Sequence, residues 1–337
     1  MGPAVRCRVH GAGCKVRGAW CTVLLGLMLI IGAPAAAQER YAVIIAGASG
    51  GGDYAQQYAR WTEELSKTLV ERMKIDPAHV TILAENTSPD STASAVNVRR
   101  TLARLRSMGR EDVCLIVLIG HGTFDGVDAK FNLVGPDLES AEWASLVGGA
   151  AGRVVVVNTT AASFPFIERL SGPRRIVITA TDSAAQRFDT VFPEHFIKAF
   201  QQDTADIDKN GRISIWEAFA AAADGVRRHY QQRGQLATER PLLDDDGDGV
   251  GKDPAANGAD GSLASRTYLD RASPDAAPTD ETLLKLLQRR AALEAQVEEL
   301  RVRRSFLPPP EYAREFERLM IELAQVSHDI RERKGRT

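Results

Sequence analysis

Cysteine is scarce in this chain and nearly absent from its body. Four cysteines occur in 337 residues, and three of them, Cys7, Cys14 and Cys21, precede residue 38. Beyond that point only Cys114 remains, so no intramolecular disulfide can form there. Stability in an oxidising compartment then has to come from a core, a metal or a partner. The chain has no block of basic residues, which removes the electrostatic footprint of a nucleic-acid binder. No apolar run of spanning length follows residue 31. Residues 1–37 lack any acid, and they carry Arg6, Arg8, Lys15 and Arg17 ahead of an apolar core, Trp20 to Ile31, and Ala35-Ala36-Ala37. This is the pattern of a secretory signal peptide. Its removal would take four positive charges and move the net charge from −2 to −6, leaving a periplasmic or secreted product.

What is present is enough for one large domain plus an appendage, with 44% hydrophobic residues. Short apolar runs alternate with helical patterns, which predicts an α/β domain over residues 38–252 with a mostly parallel sheet. The expected strands are Tyr41 to Ala46, His79 to Ala84, Val113 to Ile119, Arg153 to Val157 and Arg174 to Thr179. Trp61, Leu65, Leu69, Val70 and Met73 recur at helical spacing, as do Val96, Leu102 and Leu105. Residues 253–279 turn to Pro, Gly, Ala and Asp and read as a linker, within which Leu263 to Leu269 could dock on the domain. Over 280–335 two helices flank Pro308-Pro309-Pro310. Leu286, Leu293, Leu300 and Leu307 recur every seven residues in the first, and Tyr312, Phe316, Leu319, Leu323, Val326 and Ile330 alternate at four and three in the second. That spacing predicts an antiparallel, coiled-coil-like hairpin with arms of about 35 Å. The hairpin either folds back on its own domain or offers a seam to a protein partner.

Three constellations carry possible chemistry. Gly120-His121-Gly122 ends the third apolar run and sets one histidine at a strand tip, where such sheets bind ligands. Gly47-Ala48-Ser49-Gly50-Gly51 fits a nucleophile elbow in spacing but follows the first strand, where a sharp turn accounts for it equally well. Asp206 to Glu217 fills an EF-hand loop: Asp206, Asp208 and Asn210 at positions 1, 3 and 5, Gly211 at 6, the Arg212 carbonyl at 7 and Glu217 at 12. Hard cations need such clustered oxygens, so this loop is expected to bind calcium. A second acidic loop, 244–253, repeats the first half with Asp244, Asp246 and Asp248, but its twelfth position is Ala255, so it is either a weaker calcium site or an acidic turn.

The run from Tyr41 to Gly50, the Gly120-His121-Gly122 turn, the strand leading to Thr160 and the segment Thr179-Ala180-Thr181-Asp182-Ser183 together resemble the legumain-type branch of the caspase-like peptidases. The likeness covers roughly residues 40–235. It implies a caspase-like three-layer sandwich, with His121 as general base, Gly122 contributing to an oxyanion hole, and a nucleophilic cysteine after the fourth strand. Thr160 stands in the place of that cysteine, and Ser49 in the place of a small polar residue, often asparagine. A threonine hydroxyl is far less acidic than a thiol, and an internal threonine lacks the free α-amino group that serves threonine nucleophiles as base. Cys114 cannot substitute, because seven strand residues put it about 23 Å from His121. Two readings stay open: an exported calcium-binding pseudopeptidase that acts as a binding or scaffold module, and a hydrolase in which His121 activates the hydroxyl of Thr160 or Ser163.

Overall fold

The computed structural model describes residues 38–254, 260–270 and 303–334, with single positions between 285 and 301. The expected signal peptide, Ala255 and residues 271–284 lie outside the described residues. In chain order the strands are β1 (Arg40–Ala46), β2 (Val80–Leu83), β3 (Val113–Ile119), β4 (Gly122–Phe124), β5 (Ala129–Phe131), β6 (Leu138–Glu139), β7 (Arg153–Asn158), β8 (Arg175–Thr179) and β9 (Leu242–Asp244). The main sheet runs β2-β1-β3-β7-β8-β9, parallel throughout except for the antiparallel edge strand β9. A small antiparallel sheet, β4-β5-β6, hangs from the end of β3.

Strands buried on both faces need apolar residues at every position, and β3, Val-Cys-Leu-Ile-Val-Leu-Ile, is buried along its whole length. Alternate residues feed opposite cores. On one face Ala42, Ile44 and Val117 pack with α1 (Gly52–Lys67), α5 (Phe192–Ala199) and α6 (Ile215–Gln232). On the other, Val43, Ile45 and Ile116 pack with α2 (Ala95–Leu102), α3 (Ser140–Gly148) and α4 (Pro165–Leu170). The result is three layers, helices on both faces of a mostly parallel sheet.

Two details depart from the sequence reading. Val96 is 69% exposed, and the buried face of α2 is Ala95, Val98 and Leu102 instead, because those three are spaced by three and four while Val96, two residues before Val98, projects to the opposite side of the helix. The small sheet and β9 consist of strands of two or three residues, too short to show an alternating pattern. Within the expected linker, residues 260–270 dock on the domain, the alternative left open for Leu263 to Leu269: Ala264 and Leu269 are fully buried in the core beside α6.

Helix Pro309–Lys334 packs Leu319 against Leu293, Val297 and Leu300, with Tyr312, Phe316, Leu323 and Val326 around them. Arg289 and Glu322 bridge the two segments at 2.6 Å. Among the described residues no helix is long and apolar enough to cross a membrane.

Candidate functional site

The sheet order reverses at β1, with β2 on one side and β3 on the other, so the loops leaving β1 and β3 diverge to opposite faces and open a crevice between them. Gly47 at the end of β1 stays tied to β3, donating its amide to Ile119 O at 2.9 Å. His121 sits in this crevice, half-buried, inside a ring of partners that includes aromatic side chains. Its Nε2 lies 3.1 Å from both Ser49 O and the Tyr58 hydroxyl, and its Nδ1 lies 3.7 Å from Asp189 Oδ1. Tyr54 stacks edge-on against the ring with centroids 4.7 Å apart, and its hydroxyl donates to Asp189. Burial, then the charge of Asp189, pushes the Tyr58 phenol up, so it keeps its proton at any physiological pH.

Ser49 O can only accept. With its proton on Nε2 the ring donates to that carbonyl and the Tyr58 hydroxyl can only accept; with its proton on Nδ1 the ring turns a donor towards Asp189 and Nε2 accepts from Tyr58. Both ring nitrogens are engaged by residues other than the fourth-strand loop.

The Thr160 hydroxyl lies against Gly122, the residue after His121. Thr160 Oγ1 shares its single hydrogen between Asn158 Oδ1 at 2.8 Å and Ala161 O at 3.0 Å. Among the described residues no hydrogen bond joins Thr160 to His121. Ser163 is fully buried and receives the amides of Ala180 and Thr181 at 3.1 and 3.2 Å, with its hydroxyl against Thr181 Oγ1; it ties the end of β8 to the loop after β7. Ser49 gives its hydroxyl to Glu85 at 2.5 Å, and its amide donates to the same oxygen at 3.1 Å. Cys114 is fully buried near the start of β3, its thiol pushed up to about 12 by burial. None of these four side chains stands where His121 could activate it.

Gly122 permits the close approach of the two loops. A Cβ there would meet Ala161 O at 2.2 Å and Thr160 Oγ1 at 2.4 Å. Because one obstacle is backbone, Gly122→Ala is expected to cost about 1–3 kcal/mol, the scale of overpacking, read as a lower urea midpoint at unchanged slope. An unchanged midpoint would mean that the two loops do not touch.

The acidic loops form two further clusters. One carboxylate oxygen each from Asp206, Asp208 and Glu217 lie within 4.8 Å of one another, as do those of Asp244, Asp246 and Asp248. The two loops share one backbone scheme. Gly211 and Gly249, at position 6, have φ of +84° and +77°, and their amides donate to Asp206 and Asp244 at 2.8 and 2.7 Å. Asn210 and Asp248 donate to Asp208 and Asp246 at 2.9 and 3.0 Å, and Arg212 and Val250 to Asn210 and Asp248 at 2.8 and 2.7 Å. Glu217 is buried: one oxygen accepts from Ile207 and Asp208 amides, the other from the Ser214 amide and hydroxyl, closing a capping box at the start of α6. Burial, then the charge of Glu217, pushes the Asp208 carboxyl up, a repulsion that a cation would relieve. The donor set, all oxygen and clustered by a positive-φ glycine, fits a hard cation.

The segment 260–270 joins both loops. Ser214 and Tyr268 form an isolated antiparallel bridge, Arg212 pairs with Asp270 at 2.7 Å and lies over the Tyr268 ring, and Asn210 reaches the Tyr268 hydroxyl at 3.2 Å. At the other end Gly261 and Ala264 donate to Asp245 at 2.8 and 2.6 Å. The first loop therefore finds its bridge partner in this strap and not in the second loop. Arg290, from the C-terminal segment, lies 3.8 Å from Asp208.

Asp189, Tyr54, Tyr58 and Glu85 were missed by sequence reasoning. The tyrosines at i and i+4 on α1 offered only a faint signal, and Asp189, in an irregular loop, offered none. No family model matches the chain, and no curated protein matches it. Solved structures to which it is similar include a protein from Geobacter sulfurreducens (16% identity, 61% of this chain and 92% of that one, TM-score 0.37), the Drosophila initiator caspase Dronc (11%, 61% and 79%, 0.39) and caspase-1 from Spodoptera frugiperda (7%, 62% and 86%, 0.38).

Proposed function

We propose that this chain is an exported, calcium-stabilised binding module built on a caspase-like domain that has no working nucleophile. The observation that carries the reading is the engagement of His121 by Ser49, Tyr58 and Asp189 while the Thr160 hydroxyl is spent on Asn158 and Ala161. A general base needs a lone pair aimed at the nucleophile's proton, and here Nε2 points to a carbonyl. The strand order and the positions of His121 after the third sheet strand and Thr160 after the fourth support the caspase-like, legumain-type assignment. Calcium at Asp206, Asp208, Asn210, the Arg212 carbonyl and Glu217 would lock α6 and the strap against the sheet, with Asp244, Asp246 and Asp248 as a weaker second site. The crevice and the C-terminal helical hairpin, read as coiled-coil-like, are the surfaces offered to a partner, and the basic, apolar leader in residues 1–37 supports export to the periplasm or beyond.

The competing hydrolase reading draws on one observation, the carboxylate Asp189 beside His121, which could orient an imidazolium. Peptide-library cleavage by residues 38–337, read by mass spectrometry beside His121→Ala and Thr160→Ala, separates the two. The expected result is no cleavage above the variants' background from folded protein. Cleavage lost in both variants would establish a hydroxyl-nucleophile peptidase and overturn the proposal.

A further inference from the structure

A cleft of about 680 Å³ opens between α1 and the edge strand β2, and its inner wall includes Ser49 and Tyr58, the two residues that contact His121 Nε2. The floor is apolar. Ile82 and Ala84 turn towards the α1 side of the sheet yet remain half-buried, and Ala55 and Val70 complete an uncovered strip. The far wall is formed where α1 passes into a π-helical turn, Thr68–Arg72, whose Val70 and Glu71 line the cleft. Such turns widen a helix and recur at functional sites.

The rim is acidic. Glu63 and Glu71 are exposed on one side and Glu85 is half-buried at the end of β2, against a single lysine, Lys67. Among the described residues Glu63 and Glu71 make no ion pair. Along the same edge, Val80–Leu83 pair only with β1, while Ser91–Ala93 cover the strand just beyond, at Ala84. An apolar strip with acids above it and a bare strand edge beside it matches one kind of occupant: an extended segment adds main-chain hydrogen bonds to the edge, and long cationic side chains lay their stems on the strip while their heads reach the glutamates.

We infer that the cleft between α1 and β2 binds an extended peptide segment of a partner protein that alternates basic with apolar residues, an inference that rests on the binding-module reading and names the partner's chemistry. The acidic rim selects the charge, because like charges along it would be rejected. The cleft abuts Ser49 and Tyr58, the two residues that contact His121 Nε2.

The test is fluorescence anisotropy with a labelled, capped hexapeptide alternating lysine and valine, beside the same peptide with glutamate for lysine, at low and high salt. Residues 38–337 are expected to bind the lysine peptide about tenfold or more tightly than the glutamate peptide, and less tightly as salt rises. The surface double variant Glu63→Gln/Glu71→Gln is expected to weaken binding about tenfold, and Ala59→Trp, which fills the cleft from an exposed helix position, to abolish it. Thermal unfolding of each variant verifies that it is folded. Binding of the lysine peptide that neither variant weakens would overturn the cleft assignment and leave the binding-module reading standing. Equal binding of both peptides would overturn the charge selection, and no binding of either by folded protein would sink the inference itself. Cleavage of the lysine peptide, lost in His121→Ala, would instead bring down the reading on which it rests.

Discussion

Calcium at about one hundred times its dissociation constant is expected to add about 3 kcal/mol to the stability of the wild-type chain, and to add nothing to Glu217→Gln. Calorimetric or fluorescence melts in calcium and in chelator measure this directly. The variant should also melt below the wild type in chelator. Glu217 accepts four hydrogen bonds without any ion, two at each oxygen, and a glutamine offers only one acceptor oxygen and turns a donor towards the Ser214 or the Ile207 and Asp208 side. Loss of the capping box and of buried acceptors costs about 1–3 kcal/mol. The informative quantity is thus the calcium-induced shift in each protein, because the baselines differ. Asp208→Asn gives a gentler probe, since the Asp208 oxygens serve chiefly Asn210. A wild type that melts identically in calcium and chelator would falsify the calcium assignment.

The second large effect concerns Glu239. This carboxyl is buried, 3% exposed, and accepts from the Val191 and Phe192 amides at 2.8 and 3.2 Å and from the Tyr230 hydroxyl at 3.0 Å. It thereby caps α5 and holds the residues that follow Asp189, the partner of His121. Burial pushes it up from 4.5 to about 7, against the lowering effect of its three donors. Between those two values the folded chain binds more protons than the unfolded chain, so its contribution to stability is full below about 4.5 and is lost as pH rises through 7. The span corresponds to about 3 kcal/mol at 1.36 kcal/mol per pH unit. Glu239→Gln removes the titration, so the stability difference between wild type and variant should shrink by that amount between pH 4.5 and 8. Denaturant unfolding of both proteins at the two pH values reads it, and parallel pH dependences would show that Glu239 stays ionised in the fold.

The tests differ in what they reach. Glu217 reports on the loop that α6 starts from, Glu239 on the loop that brings Asp189 to His121, and Gly122 on the contact between the third- and fourth-strand loops. Each can fail without the others.

What the sequence by itself determined are the features written within one element. The five parallel strands were legible because a strand covered on both faces must be apolar at every position, as β3 is. The acidic cluster of Asp206, Asp208 and Glu217 was legible as a candidate cation site because its residues fall within twelve consecutive positions, and His121 was marked by its place at the tip of β3. Only the tertiary structure decided what His121 touches. Ser49, Tyr54 and Tyr58 come from one segment and Asp189 from another far along the chain, and they meet His121 because the sheet reverses its order at β1 and brings strand ends together that the chain keeps far apart. The same holds for the strap at 260–270, whose composition reads as linker while Leu269 and Ala264 lie in the core. In α2 the apolar residue Val96 lies outside the buried face, which Ala95, Val98 and Leu102 share at spacings of three and four. Local spacing records which face of an element is apolar; the approach of two elements depends on topology and on close contacts such as that of Gly122 with Ala161, which no local pattern encodes.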